Sequence, residues 1–364
     1  MKFGILASNN IYVEETTNGL SNFADISAIV LKSKKEHCNY NHSIDLYLVE
    51  KTFIQLLKLP LILEKLSKKV DAFIVHYMNP YFSLLIILGF INKPIVYFCY
   101  GGDVRKSKFR NYLTKKALDH VDLIFVEAPS QKKYLHDFFH VPLNRLQSSV
   151  IVFPLNPCFK KMDNELHSEI RDKWNIHKKY VIFSPRTLHS HYNHHILLEG
   201  IANICEEFKL DIQVVLTGVG NKAYLSDLMN YSHEHNIDLI SLNCFLQPEE
   251  MAEIYNISII NANIPLHDQF GRSIMEGCMC GSIPLLNSNV PAYHDFLKEG
   301  ENCFFVDTNP RLIAEKIMFI LENHRKYSNL FYQSNYKIFK PYQAVSYIYK
   351  NLAEAIGDIS LKGE

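Results

Sequence analysis

The sequence predicts an α/β protein of two successive doubly wound domains, and three observations carry that expectation. The chain has 364 residues, more than one hydrophobic core usually holds and about right for two domains. Short β-rich runs alternate with helix-like segments from end to end, as βαβ units and parallel sheets require. The alternation breaks once, at Pro154-Leu155-Asn156-Pro157, where two prolines stop regular structure before a polar stretch from Lys160 to Lys173. The expected division is therefore 1–155, 156–335 and a C-terminal helical segment, 336–364, crossing back to the first domain.

In the first domain the strand candidates are Met1–Ala7, Ile26–Leu31, Ile44–Val49, Ala72–Met78, Pro94–Tyr100, Leu123–Glu127 and Val150–Phe153. Most are continuous apolar runs, as strands buried on both faces must be. In the second they are Tyr180–Ser184, Ile212–Thr217, Asp238–Leu242, Ile257–Asn263, Ile283–Leu286 and Cys303–Val306. Ile196–Phe208 and Tyr342–Ile356 have apolar residues at helical spacing. Two such domains are expected to face a central cleft, with ligand at the carboxyl ends of their strands.

Composition narrows the function classes. With 48% hydrophobic and 21% charged residues, the chain has apolar surface to bury, which excludes disorder and collagen-like repeats. The opening Met1–Ala7 turns polar at Ser8-Asn9-Asn10, so it reads as a strand and not as a signal-peptide core. The longest apolar stretch, Tyr81 to Ile91, falls short of the roughly 20 residues a bilayer span needs. Eight scattered cysteines suit reduced thiols in a cytoplasm, and Cys278 and Cys280, two apart on a helix, make a poor chelate. The expected location is cytoplasmic, with peripheral attachment to the inner face of the membrane.

Charge sums to zero over the chain but is unevenly divided. Residues 1–155 hold 19 Lys+Arg against 13 Asp+Glu, a net +6, and the remainder is −6. The basic excess gathers at Lys65, Lys68 and Lys69, at Arg105–Lys116, and at Lys132 and Lys133. These are either solvated helix faces or a surface for anionic lipid headgroups or a phosphate-bearing acceptor. No nucleic-acid partner is expected.

The most informative segment runs from Asn261 to Gly281. A strand ends near Asn263, a loop carries Pro265, His267 and Asp268, and a helix starts about Phe270-Gly271-Arg272. A helix start offers N–H groups and a positive dipole end to a phosphate. Gly271 permits close approach to the backbone. Glu276, about one turn in, suits a ribose diol, which donates hydrogen bonds to a carboxylate.

In this order and spacing these residues resemble family four of the retaining GT-B glycosyltransferases, also called glycosyl transferases group 1. The family has Glu, seven residues, Glu, with Phe-Gly after the first acid. Here Asp268, seven residues and Glu276 take those places, with Phe270 and Gly271 between. Gly281-Ser282-Ile283-Pro284 resembles its Gly-x-Pro turn, and Val290–Val306 its end-of-domain pattern, with Asp295 where Glu is usual. Upstream, Val181–Arg186 and His191–Leu198 resemble its strand ending in Arg and the following loop and helix. The family's loop Lys is absent. Tyr192 stands in its place, and His191, His194 and Arg272 are candidates for the second phosphate contact.

The resemblance implies a GT-B fold of two Rossmann-like domains and retaining transfer of a sugar from a nucleotide-sugar, UDP- or GDP-linked. The acceptor would be a glycan or lipid-linked molecule in bacterial surface-polysaccharide synthesis. Arg186 would stabilise the departing diphosphate, Asp268 would position the sugar, and Glu276 the ribose. Gly218, in the turn Leu216–Gly220, and Phe245, in the segment Phe245–Pro248, would hold the nucleotide, beside Phe270, Gly271, Arg272, Tyr192 and His191.

In the first domain Gly102 is expected to meet the acceptor at a strand end, and His76 is either a second such contact or a satisfied semi-buried histidine. Asp103 is either a catalytic group for the acceptor hydroxyl or the cap of the helix from Arg105 to Lys116. The loop from Ser8 to Gly19 is a further place for donor phosphates or acceptor. His189, His191, His194 and His195 lack an accompanying acid at ligand spacing, so no metal and no cofactor is expected. A nucleotide-sugar epimerase or hydrolase of the same fold, and a non-catalytic binding partner, are the competing readings.

Overall fold

A computed structural model describes residues 1–33, 38–104, 107–148, 151–217, 219–242 and 244–360. The chain divides into two compact units, Met1–Pro154 with Ala344–Glu364, and Leu155–Gln343.

The first unit is a seven-stranded parallel sheet. Its strands are β1 (Lys2–Ser8), β2 (Asp25–Lys32), β3 (Asp45–Glu50), β4 (Ala72–His76), β5 (Ile95–Phe98), β6 (Leu123–Phe125) and β7 (Leu146–Gln147), in the order β3-β2-β1-β4-β5-β6-β7. Alternate residues serve opposite faces. Leu6, Ile29, Phe73, Val75 and Tyr97 pack under the helices Leu59–Ser67, Pro80–Ile87, Lys108–Leu118 and Pro129–Phe139. Phe3, Ile5, Ala28, Ile74 and Phe98 pack under Ile11–Leu20 and Val345–Ser360.

The second unit is a six-stranded parallel sheet. It comprises β8 (Tyr180–Ser184), β9 (Ile212–Leu216), β10 (Asp238–Ser241), β11 (Ile260–Asn263), β12 (Ile283–Asn287) and β13 (Phe304–Val306), ordered β10-β9-β8-β11-β12-β13. Both sheets reverse direction of growth once, between β1 and β4 and between β8 and β11. In open α/β sheets such switch points, at the carboxyl ends of the strands, are where ligands bind.

Several expectations shift. The seventh strand is Leu146–Gln147, paired with β6; Val150 lies outside the described residues, and Ile151–Phe153 form no strand. The segment 196–208 is two helices, His194–Ala202 and Glu206–Lys209, separated at Asn203-Ile204-Cys205. Ile257 closes the helix Pro248–Ile257 and does not open β11. Residues 335–336 fall inside a helix of 30 residues, Pro310–Phe339, and the units part after Gln343. The stretch after β1 is not a loop. Asn10 accepts from Val13 N–H at 3.0 Å and caps the helix Ile11–Leu20, as a short polar side chain before an apolar run does.

Candidate active site

Arg186 and Asp268 come from the two strands that flank the switch point of the second sheet. Arg186 follows β8 by two residues, and Asp268 lies in the loop after β11. Arg186 Nη2 stands 3.0 Å from Asp268 Oδ2, with the two side chains 16% and 15% exposed. Burial works against the Arg186 charge, but the Asp268 carboxylate overrides it and raises the guanidinium pKa above its ordinary value.

A polar scaffold fixes this pair. Arg186 Nη1 donates to Ser273 Oγ at 3.2 Å, and Ser273 Oγ donates to Asn263 Oδ1 at 3.0 Å. Asn263 Nδ2 donates to Asn261 Oδ1 at 2.8 Å, and Asn261 Nδ2 to the Ser273 carbonyl at 2.8 Å. Both asparagines lie on β11 and are buried. Asp268 also accepts from Tyr293 Oη at 3.1 Å and from Gln269 N–H at 3.0 Å. The Arg186 guanidinium lies 4.5 Å from the Tyr192 ring, a cation–π contact. Tyr192, at the place of the family's lysine, therefore holds the cation and does not add a second one.

Gly271 caps the helix Arg272–Cys280 with extended backbone and no side chain of its own. A Cβ there would lie 2.2 Å from Arg186 Nη1. The glycine's bare backbone is thus what admits the guanidinium to the helix start. Glu276, 7% exposed, accepts from Tyr255 Oη at 3.1 Å, and Arg272 Nε is 3.7 Å from its Oε1.

Two loops meet around this centre. Leu266 N–H donates to the His191 carbonyl at 2.9 Å, and Asn193 Nδ2 to the Ile264 carbonyl at 2.9 Å. The His191 ring packs 4.1 Å from His267, and burial lowers its pKa. His194 is committed to the scaffold: its ring nitrogens bond Ser184 Oγ at 3.0 Å and the Thr187 carbonyl at 3.1 Å. Burial lowers its pKa to about 4, so it supplies no positive charge at neutral pH. Gly220, at φ +139°, lets Leu188 pair against its backbone, since a Cβ would meet the Leu188 oxygen at 2.5 Å.

Other expected contacts are reassigned. Phe270 is 3% exposed, with its ring centroid 4.4 Å from Phe296 and 5.6 Å from Phe339, so it anchors the loop and does not face a ligand. Phe245 is exposed. Gly218 lies outside the described residues. Among the described residues no group of three His, Cys, Asp or Glu could hold a metal ion, and all eight cysteines are free thiols.

In the first unit the structure revises both readings of Asp103. The residue is fully buried and accepts from Tyr97 Oη and from Met78 N–H, the latter at 3.2 Å. It therefore has no access to a hydroxyl, and the helix expected from Arg105 is Lys108–Leu118 with Ser107 at its N-cap. Burial raises the Asp103 pKa. Arg105 and Lys106 lie outside the described residues. His76 ends β4, fully buried, with Nδ1 2.9 Å from Tyr100 Oη. Its pKa is lowered to about 3 by burial, and its Nε2 has no hydrogen-bond partner among the described residues. Gly102 is exposed beside Tyr77.

The residues that hold the Arg186–Asp268 pair, namely Ser273, Asn261, Asn263 and Tyr293, and Tyr255, which holds Glu276, have no sequence signature of their own. A signal was present for two of them: Asn261 and Asn263 are polar in a strand otherwise read as apolar core, and such residues need partners.

Residues 167–337 match the family model described as "Glycosyl transferases group 1". A curated relative, "Spore coat protein SA" of Bacillus subtilis (strain 168), is 23% identical over 193 residues, and the chain spans about half the length of that relative. Among solved structures, HepE of Anabaena in complex with UDP matches with a TM-score of 0.79 at 14% identity, covering 98% of this chain and 100% of that one. Sucrose-phosphate synthase from Thermosynechococcus elongatus matches with a TM-score of 0.81 at 13% identity over the whole of both chains. At these identities the structural likeness establishes the fold. The chain has the GT-B fold, and its residues 167–337 match the glycosyl transferases group 1 model.

Proposed function

We propose that this protein is a retaining glycosyltransferase that moves a hexosyl or N-acetylhexosaminyl group from a UDP- or GDP-sugar to a glycan or lipid-linked acceptor. It would act without a bound metal or cofactor, in bacterial surface-polysaccharide synthesis at the cytoplasmic face of the membrane. The observation that carries the reading is the Arg186 guanidinium held against the start of the helix Arg272–Cys280 by Ser273 and Asp268. The group 1 match over residues 167–337 supports it, and HepE structures with UDP and UDP-glucose favour a uridine donor.

As the bond from C1 of the sugar to the diphosphate breaks, negative charge develops on the leaving oxygen. Arg186 and the first-turn N–H groups would stabilise it in a site that is already built, which is the effect worth most in such reactions. The acceptor oxygen then bonds C1 on the face the diphosphate leaves, and its proton passes to a phosphate oxygen. The balance needs no protein base, consistent with the burial of Asp103. Asp268, fixed by Arg186 and Tyr293, would orient sugar hydroxyls, and Glu276 would accept from the ribose diol.

The test is a thermal-shift and turnover screen of the purified chain against UDP-, GDP-, ADP-, CMP- and dTDP-linked sugars, with Glu276→Ala beside wild type. The cognate donor at a hundred times its Kd should stabilise wild type by about 2.7 kcal/mol, and Glu276→Ala should lose most of that. An α-linked product from an α-linked donor, read by NMR of the anomeric proton, supports retention. Donor consumed without acceptor, or bound without turnover across an acceptor panel, would replace this reading with a hydrolase or epimerase, or with a binding protein.

A further inference from the structure

One helical layer of the first unit carries an unusual surface. The helices Phe53–Leu56, Leu59–Ser67, Pro80–Ile87 and Lys108–Leu118 cover a single face of the seven-stranded sheet, and the last three bury Leu59, Leu63, Leu66, Phe82, Leu85, Ala117 and Leu118 in one core cluster. Yet the same layer exposes large apolar side chains: Phe53 at 77%, Leu61 at 64% and Phe109 at 70%, together with Ile54, Leu57 and Leu88. Pro60, Leu61 and Lys68 share a pocket of about 300 Å³ with Gly89 and Phe90, so the helix Leu59–Ser67 forms one surface with the turn after Pro80–Ile87. The helices Pro80–Ile87 and Lys108–Leu118 pack against each other.

Positive charge is interleaved with this apolar surface. Between residues 51 and 93 stand six lysines against Glu64 and Asp71. Lys68 pairs with Glu64 at 2.9 Å and Lys69 with Asp45 at 3.2 Å, so Lys51, Lys58, Lys65 and Lys93 give the layer its excess. Lys108, Arg110, Lys115 and Lys116 follow, with no acidic residue between 107 and 118. Exposed apolar groups of this extent mark a contact surface. Their mixture with lysine is what an anionic lipid interface rewards, because rings and leucines enter the acyl boundary while ammonium groups meet headgroup phosphates. A second copy joined symmetrically through the same face would set these positive charges against each other.

We propose that this layer, centred on Phe53–Ser67 and extended by Leu88, Phe90 and Lys108–Tyr112, is the face by which the protein docks on an anionic bilayer. The inference rests on the membrane context proposed above, but its test needs neither donor nor acceptor, so the two can fail separately. No helix among the described residues is long and apolar enough to cross a membrane, and the contact proposed is with one leaflet only.

The experiment is co-sedimentation of the purified full chain with vesicles of phosphatidylcholine alone or of equal parts phosphatidylcholine and phosphatidylglycerol, at low and high salt. Binding is expected to the anionic vesicles only and to weaken as salt rises. Phe53→Ser with Leu57→Ser and Leu61→Ser should weaken it by roughly tenfold or more. Lys58→Gln with Lys65→Gln should weaken it by about fivefold for each charge. Tyr347→Ser, an exposed aromatic on the helix across the sheet, should change nothing. Circular dichroism and melting of each variant confirm folding. Absence of binding, equal binding to neutral vesicles, or binding unaffected by both sets of substitutions would overturn the proposal. A dimer in light scattering that the same substitutions dissociate would reassign the face to a protein partner.

Discussion

The two units offer a controlled comparison, because each presents a histidine, an acid and aromatic hydroxyls at the switch point of a parallel sheet. In the first, Asp103 and His76 are fully buried: Asp103 accepts from Tyr97 and Met78, and His76 meets Tyr100 through Nδ1 alone. In the second, Arg186 and Asp268 keep about a sixth of their side chains exposed while Ser273, Tyr293 and the β11 asparagines hold them in place. Position at a strand end is therefore common to both, and what distinguishes the candidate active site is a charge that is oriented by others yet still open to a ligand. A fully buried acid bonded to its own fold stabilises that fold. One that stays partly open can still meet a ligand.

The sharpest way to break this contrast is to remove one ionic group from each unit. Arg186→Ala should lower transfer by about a hundredfold to a thousandfold, the scale for losing a preorganised donor to developing negative charge, with a modest change in melting. Asp103→Ala should do the reverse. It strands the Tyr97 hydroxyl and the Met78 N–H, at about 1–3 kcal/mol of stability for a buried unsatisfied group, while the rate per folded molecule holds. Steady-state rates and thermal melts of both variants check the pair, and a catalytic collapse in Asp103→Ala without a stability loss would erase the distinction between the units.

Gly271→Ala comes next in size. Its Cβ would stand 2.2 Å from Arg186 Nη1, so the guanidinium must leave the helix start while the rest of the unit stays packed. A loss of roughly tenfold to a hundredfold in kcat is expected, since a displacement near 1 Å from productive geometry is worth about that much. Binding of UDP measured by calorimetry should weaken less than turnover. Wild-type kinetics in this variant would mean that Arg186 is not the group that meets the phosphates.

Much of this was legible in the sequence, and for identifiable reasons. Twelve of the strand candidates overlap strands of the structure because apolar runs bounded by turns have few other ways to be buried. The helix start at Gly271-Arg272 is where the sequence expects it, which leaves Asp268 in the loop and Glu276 in the helix. Phe270 was misread, since an aromatic beside a ligand loop and an aromatic anchoring that loop have the same sequence signal, and only packing on Phe296 and Phe339 separates them. Asp103 was misread for a related reason. Gly-Gly-Asp after a strand places the acid at that strand's carboxyl end, but its burial depends on Tyr97 of β5 itself and on Met78, just beyond β4.

The two histidines buried among the described residues should reveal themselves through pH. His76 in the first unit and His194 in the second have pKa values lowered to about 3 and about 4 by burial. Each folded unit therefore holds a neutral ring where the unfolded chain would take up a proton. The sign follows from linkage: the stability is fully present above about 6.5 and is lost as pH falls toward the folded pKa, by about 1.4 kcal/mol per pH unit for each ring. Melts between pH 7 and 5 should slope down in both units. His76→Gln should flatten the slope in the first only, and His194→Gln in the second only, which assigns each transition to its unit.

The smallest expected effect tests how finely the second unit's scaffold is tuned. Tyr255 donates to Glu276 Oε2 at 3.1 Å, and Glu276 is 93% buried beside Arg272. Tyr255→Phe keeps the ring, packed 5.0 Å from Phe183 and 6.1 Å from Phe159, and removes only the hydroxyl. If Glu276 receives the ribose, losing this bond loosens its aim without removing it, so KM for the donor should rise by a few-fold while kcat barely moves, the signature of ground-state binding. The lost hydrogen bond to a charged acceptor should also lower stability by about 1.5–3 kcal/mol. A fall in kcat with unchanged KM would place Glu276 in the transition state and not in donor recognition. The acid in the second half of the motif would then belong with Arg186, and the division of work inside this unit would have to be drawn between Asp268 and the pair.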